Sequence, residues 1–90
     1  MNIQWKIVVR GKVQGVGFRN ATLRKAIELG IRASVRNLDD GCVEILASAT
    51  DKEFKVFENW CRKGPSHARV DRLEISELDQ TGFTDFSIDY

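Results

Sequence analysis

The stretch Ile31-Arg32-Ala33-Ser34-Val35-Arg36-Asn37-Leu38-Asp39-Asp40-Gly41-Cys42-Val43-Glu44-Ile45-Leu46-Ala47-Ser48 decides how the rest of the chain is arranged. Ile31–Leu38 and Cys42–Ser48 read as two strands, and Asp39-Asp40-Gly41 between them is a hairpin turn signal. Upstream, from about Phe18 to Leu29, Leu23, Ala26 and Ile27 repeat at helical spacing, and Gly30 is placed as the terminating left-handed residue. Ile3–Arg10 alternates Trp5, Ile7 and Val9 with Lys6, Val8 and Arg10 and is rich in β-formers, a first strand. Downstream, Thr50 and Glu53 have the spacing of a capping box and open a second helix. Phe54, Phe57 and Cys61 share one face of that helix with Trp60 beside them, and Gly64-Pro65 ends it. Ala68–Leu78, with Val70, Leu73 and Ile75 between charges, predicts another strand of imperfect alternation, and Phe83–Tyr90 a short last one. The order is βαββαβ with an extra strand. Two amphipathic helices on one face of a mostly antiparallel sheet is the α+β, split-βαβ or ferredoxin-like solution.

Ninety residues leave room for a single domain, 1–90. The 42% hydrophobic and 30% charged fractions with one proline describe a folded domain. No run approaches the ~20 apolar residues of a membrane span and no signal peptide opens the chain, so no membrane is expected and the compartment is expected to be cytoplasmic. Two cysteines cannot form a disulfide scaffold. The net charge of +1 argues against a strongly cationic nucleic-acid binder, yet it conceals a division. From Met1 to Arg36 eight basic residues face a single acid, Glu28, a net of +7; six basic and twelve acidic residues follow, a net of −6.

Gly11-Lys12-Val13-Gln14-Gly15-Val16-Gly17-Phe18-Arg19 is the most informative stretch for chemistry. Three glycines fall between a strand and a helix start. Glycine permits positive φ, so successive N–H groups can converge into an anion-binding nest. The helix adds its own free N–H groups and the positive end of its dipole. Arg19, in the first turn, can fork onto two phosphate oxygens. The competing reading is a flexible connection with an incidental surface arginine. Neither the Walker A pattern, nor G-x-G-x-x-G, nor a cysteine-phosphatase loop is present.

This stretch resembles the first signature of the acylphosphatase family. Gly30–Glu44 is similar to the family's second signature, which contains its catalytic asparagine. Trp60-Cys61, Gly64-Pro65-Ser66-His67-Ala68-Arg69-Val70 and Phe86-Ser87-Ile88 resemble its later landmarks, so the likeness runs over essentially the whole chain. Members are single ferredoxin-like domains of this size. Three positions depart from the usual pattern: Ala33 and Ser34 replace a glycine and an aromatic, and Ala49 replaces a glycine. Ser34 is expected to alter packing beside Asn37, and Ala49 to shift the turn before the second helix.

The resemblance implies hydrolysis of an acyl phosphate to carboxylate and inorganic phosphate. Arg19 and the backbone N–H groups of Gln14, Gly15, Val16, Gly17, Phe18 and Arg19 would hold the phosphoryl group, and Asn37 would orient the attacking water. It implies no metal, no other cofactor and no covalent intermediate. The expected partners are a small acyl phosphate, with inorganic phosphate or sulfate as a site ligand; a monomer is expected. On the residues alone, Asn37 also reads as a turn-former, and Arg36 falls on the sheet's other face. His67, without cysteine or carboxylate company, reads as a surface loop residue. Cys42 and Cys61 read as small buried hydrophobes, and Asp39 and Asp40 as turn chemistry. Two other classes compete: a non-catalytic module binding an acyl or carbamoyl phosphate, and an RRM-like nucleic-acid binder. For the latter, the third strand Cys42–Ser48 carries no aromatic to stack a base.

Overall fold

The computed structural model describes residues 2–78. Its elements run β1 (Ile3–Lys12), α1 (Phe18–Glu28), β2 (Arg32–Asn37), β3 (Val43–Ala49), α2 (Asp51–Lys63) and β4 (Arg69–Glu77). The strands form one sheet in the order β2-β3-β1-β4, antiparallel at every pairing, which is the ferredoxin-like arrangement. The short strand expected at Phe83–Tyr90 lies outside the described residues.

Alternation assigns the faces. Ile7 and Val9 of β1, Ala33 and Val35 of β2, and Val43, Ile45 and Ala47 of β3 are buried beneath the helices. From α1 they meet Phe18, Leu23 and Ala26, and from α2 Phe54, Phe57 and Cys61. Trp5 stacks on Phe54 with ring centroids 4.0 Å apart, a contact that contributes about 0.5–1.5 kcal/mol beyond area burial. Ile27 departs from the helical stripe expected of it and is 71% exposed. One residue past Ala26 rotates the side chain by about 100°, which carries it beyond the arc defined by Phe18, Thr22, Leu23 and Ala26.

The ends of the elements follow local chemistry. At the close of α1, Gly30 takes φ 73°; its N–H donates to the Ile27 carbonyl, and that of Ile31 to the Ala26 carbonyl, the paired bonds of a Schellman motif. At the start of α2, Thr50 Oγ1 accepts from the Glu53 N–H while the Thr50 N–H donates to the Glu53 carboxylate. Gly41, at φ 93°, closes the β2–β3 hairpin, its N–H donating to the Leu38 carbonyl.

The imperfect alternation of β4 has a specific cause. Arg10 pairs with Arg72 but Gly11 pairs with Val70, so Asp71 is an extra residue on β4. This bulge moves the inward phase from Leu73 and Ile75 to Val70. It also presses β4 onto Gly11, where an added Cβ would lie 2.1 Å from the Arg69 carbonyl oxygen. Gly11 therefore belongs to β1 and to strand packing rather than to the glycine-rich loop where the sequence reading put it.

The opposite sheet face carries charge. Lys6 and Arg36 pair with Glu44, and Arg10 pairs with Glu74 and Asp40. Arg36 thus lies on the face away from the helices, as its position in the strand requires. Ser34 lies there too, with no bulge between it and Asn37, so it does not pack beside Asn37 as expected. Ala49 extends β3 opposite Ile3, fully buried and without positive φ, and its carbonyl accepts a hydrogen bond from Trp5 Nε1.

Candidate functional site

Topology brings the two expected signatures together. β1 and β2 both run antiparallel to β3, hence in the same direction, and their C-terminal ends share one end of the sheet. The loop at 13–17 leaves β1 there, and Asn37 closes β2 there. Asn37 shares the helix-facing phase of Ala33 and Val35, so its side chain lies on the side of the sheet that carries α1.

Within the loop, Gly15 and Gly17 have φ of 74° and 78°, while Val16 between them does not. Alternating handedness of this kind turns successive N–H groups toward one point. Neither glycine is there for lack of room, since an added Cβ would meet nothing within 4 Å. Their positive φ is the requirement. Gly17 is also the N-cap of α1, and no side chain caps that end. The first intrahelical bond runs from the Ala21 N–H to the Gly17 carbonyl, so the N–H groups of Phe18, Arg19 and Asn20 precede the ladder. The first turn contains no acid that would occupy this positive end, whereas α2 has its capping box, Asp51 and Glu53.

A pocket of about 100 Å³ opens at this point, lined by Val13, Gly15, Gly17, Phe18, Arg19, Asn20 and Asn37. Arg19 and Asn37 are exposed, and among the described residues neither side chain has a hydrogen-bond or ion-pair partner. Their isolation contrasts with four other cations of the first 36 residues: Lys6, Arg10 and Arg36 are paired with acids of the second half, and Lys25 with Glu28. Part of the local positive excess is thus neutralised away from the pocket, and Arg19 remains beside it.

The other expected site residues divide by role. Gly15, Gly17 and Phe18 line the pocket; Gln14 and Val16 do not. Val16 packs against the core. The Phe18 ring is 1% exposed and lies 5.9 Å from that of Trp60, so it anchors the loop–helix junction. Gln14 Nε2 donates to the carbonyls of Leu38 at 2.8 Å and Cys42 at 2.9 Å, a use of its side chain that the sequence did not suggest. Asn20 was also missed. Its only sequence signal is its place in the first turn, one residue beyond Arg19. Among the described residues no group of three potential metal ligands gathers anywhere, His67 is exposed, and both thiols are free and buried. Burial pushes the Cys61 thiol up to about 12. No described helix is long and apolar enough to cross a membrane.

Known proteins share both the sequence and this geometry. A model of the acylphosphatase family matches residues 5–88. An acylphosphatase of Marinobacter nauticus is 48% identical over 84 residues, covering 92% of this chain and 91% of its own. The crystal structure of the Bacillus subtilis acylphosphatase superposes over the whole of both chains with a TM-score of 0.85 at 35% identity. The crystal structure of T. kodakarensis HypF matches 98% of this chain but 12% of its own, with a TM-score of 0.77 and 39% identity. The chain belongs to the acylphosphatase family of enzymes.

Proposed function

We propose that the chain hydrolyses the carboxyl–phosphate anhydride of small acyl phosphates in the pocket between Gly15–Asn20 and Asn37. The observation that carries this reading is the convergence of two polar side chains without partners among the described residues, Arg19 and Asn37, on a pocket floored by a positive-φ glycine loop. The phosphoryl oxygens sit against the loop N–H groups and the start of α1, with the Arg19 guanidinium forked onto two of them. Asn37 orients a water through its amide, in line with the bond to be broken. The water oxygen attacks phosphorus, the bond from phosphorus to the acyl oxygen breaks, and the carboxylate leaves with the electron pair. A carboxylate is a weak base, so no strong general acid is needed. The amide is not a base at neutral pH, and the water's proton passes to a phosphoryl oxygen. Positioning and charge stabilisation supply the catalysis.

In the same reading, inorganic phosphate and sulfate occupy the cradle as ligands, and the protein is a cytoplasmic monomer, which sedimentation at micromolar concentration tests. A second reading, a module that binds an acyl or carbamoyl phosphate without turning it over, is favoured by one observation: the matching unit in HypF is a small part of a much longer chain. Benzoyl phosphate hydrolysis in the presence of a chelator separates the two. Turnover that collapses in Asn37→Ala, with phosphate binding retained, supports the enzyme; phosphate binding without turnover in the unaltered protein supports the module.

A further inference from the structure

We propose that the Gln14 side chain is a positioning residue that holds Asn37 at its working distance from the phosphate cradle. The inference rests on the reading of Asn37 as the group that orients water. Gln14 opens the loop, and its amide nitrogen gives hydrogen bonds of 2.8 and 2.9 Å to the Leu38 and Cys42 carbonyls. Those carbonyls bracket the Asp39–Gly41 turn, and Leu38 is the residue next to Asn37. Each already accepts one backbone N–H, from Gly41 and from Leu38 respectively, so Gln14 takes up their second lone pairs. Both amide protons are thereby committed, and the side chain is not a ligand for phosphate.

The bridge matters because packing alone otherwise joins the two walls of the pocket among the described residues. β2 is an edge strand, separated from β1 by β3. Among the described residues, no hydrogen bond other than the two from Gln14 joins residues 13–20 to residues 37–42. Phosphate binding depends on the loop, Arg19 and the α1 terminus, all on one wall. Water orientation depends on the spacing between the walls. Gln14 therefore acts on the chemical step through Asn37 and leaves anion binding alone.

The test is a double-mutant cycle on kcat for benzoyl phosphate, with inorganic phosphate affinity measured in parallel. Gln14→Met keeps the length and removes both donors. We expect kcat to fall about 10- to 100-fold, in line with the cost of a displacement on the order of 1 Å in a positioned group, while phosphate affinity stays within about twofold. In an Asn37→Ala background the same substitution should change kcat by less than about twofold, since the group it positions is gone. An equal fall in both backgrounds overturns the proposal, as does a loss of phosphate affinity in step with kcat. A wild-type kcat in Asn37→Ala alone overturns the water-orienting reading itself and the proposal with it, a result distinct from the other two. Should Gln14→Met fail to fold, Gln14→Asn, which keeps the amide one methylene short, is put through the same cycle with the same expectations.

Discussion

Removing Arg19 gives the most direct measure of the cradle. The side chain is exposed and has no partner among the described residues, so Arg19→Ala orphans no buried group. The fold should lose no more than about 0.5 kcal/mol, the usual scale for such a surface change. The lost interaction with phosphate is larger. Charge-assisted hydrogen bonds contribute about 1.5–3 kcal/mol net, which corresponds to a roughly 10- to 150-fold weaker Kd for inorganic phosphate. Thermal melting reads both effects in one experiment. At phosphate equal to about 100 times the wild-type Kd, the unaltered protein gains about 2.7 kcal/mol and the variant only about 0.3–1.3 kcal/mol. For a domain of this size that is a rise in Tm of about 11–22 °C against about 1–10 °C. Arg19→Lys, which keeps the charge and loses the fork, should fall between them. Equal phosphate-induced shifts in wild type and Arg19→Ala would refute the cradle. A large drop in Tm without phosphate would show instead that Arg19 supports the fold.

Four further outcomes are expected. Gly11→Ala should destabilise the protein by at least about 2 kcal/mol in denaturant unfolding, because its Cβ meets the Arg69 carbonyl, yet leave phosphate affinity of the folded protein intact; Gly17→Ala, with open space but φ 78°, should cost about 1–2 kcal/mol and weaken phosphate binding. Hydrogen bonds from Arg10 and then Arg72 hold the Glu74 carboxyl down from 4.5 to about 2, a stabilisation present above the ordinary carboxylate range and lost as pH falls toward 2. Glu74→Gln should therefore lower Tm at pH 7, with the gap to wild type closing between pH 4.5 and 2; a gap that persists at pH 2 contradicts the assignment. Cys42 and Cys61 should resist a disulfide reagent in the native state and react after unfolding, since both are buried; prompt native labelling of Cys61 would contradict its burial.

Where local chemistry decides, the sequence was a sufficient guide. The Thr50–Glu53 box, Gly30 after α1 and the Asp39–Gly41 turn each involve groups within a few residues of one another, and each forms as read. The errors occur where a distant segment decides. A glycine required by a loop and a glycine pressed by a neighbouring strand look alike in one dimension, and only the bulge at Asp71 reveals that Gly11 is the second kind. Ser34 seemed close to Asn37 because three positions separate them, but a strand sends odd and even positions to opposite faces. Ile27 fits the helical period and still misses the core, because the width of the buried arc is set by what α1 packs against. The reach of Gln14 to Leu38 and Cys42 spans more than twenty residues, and no local pattern announces it.

The placement of β3 between β1 and β2 has a consequence for how the activity can arise during folding. Every side chain assigned to the pocket lies at or before Asn37, so a nascent chain of that length already carries all of them. It carries no pocket, because β2 meets β1 only across β3, whose pairing with Ile3 involves Ala49. The cradle and its water-orienting wall thus become neighbours only after non-local closure, a step that is slow relative to forming either helix. A fragment ending at Asn37 should not hydrolyse benzoyl phosphate, and complementation with a peptide carrying β3 should be needed before the two walls meet.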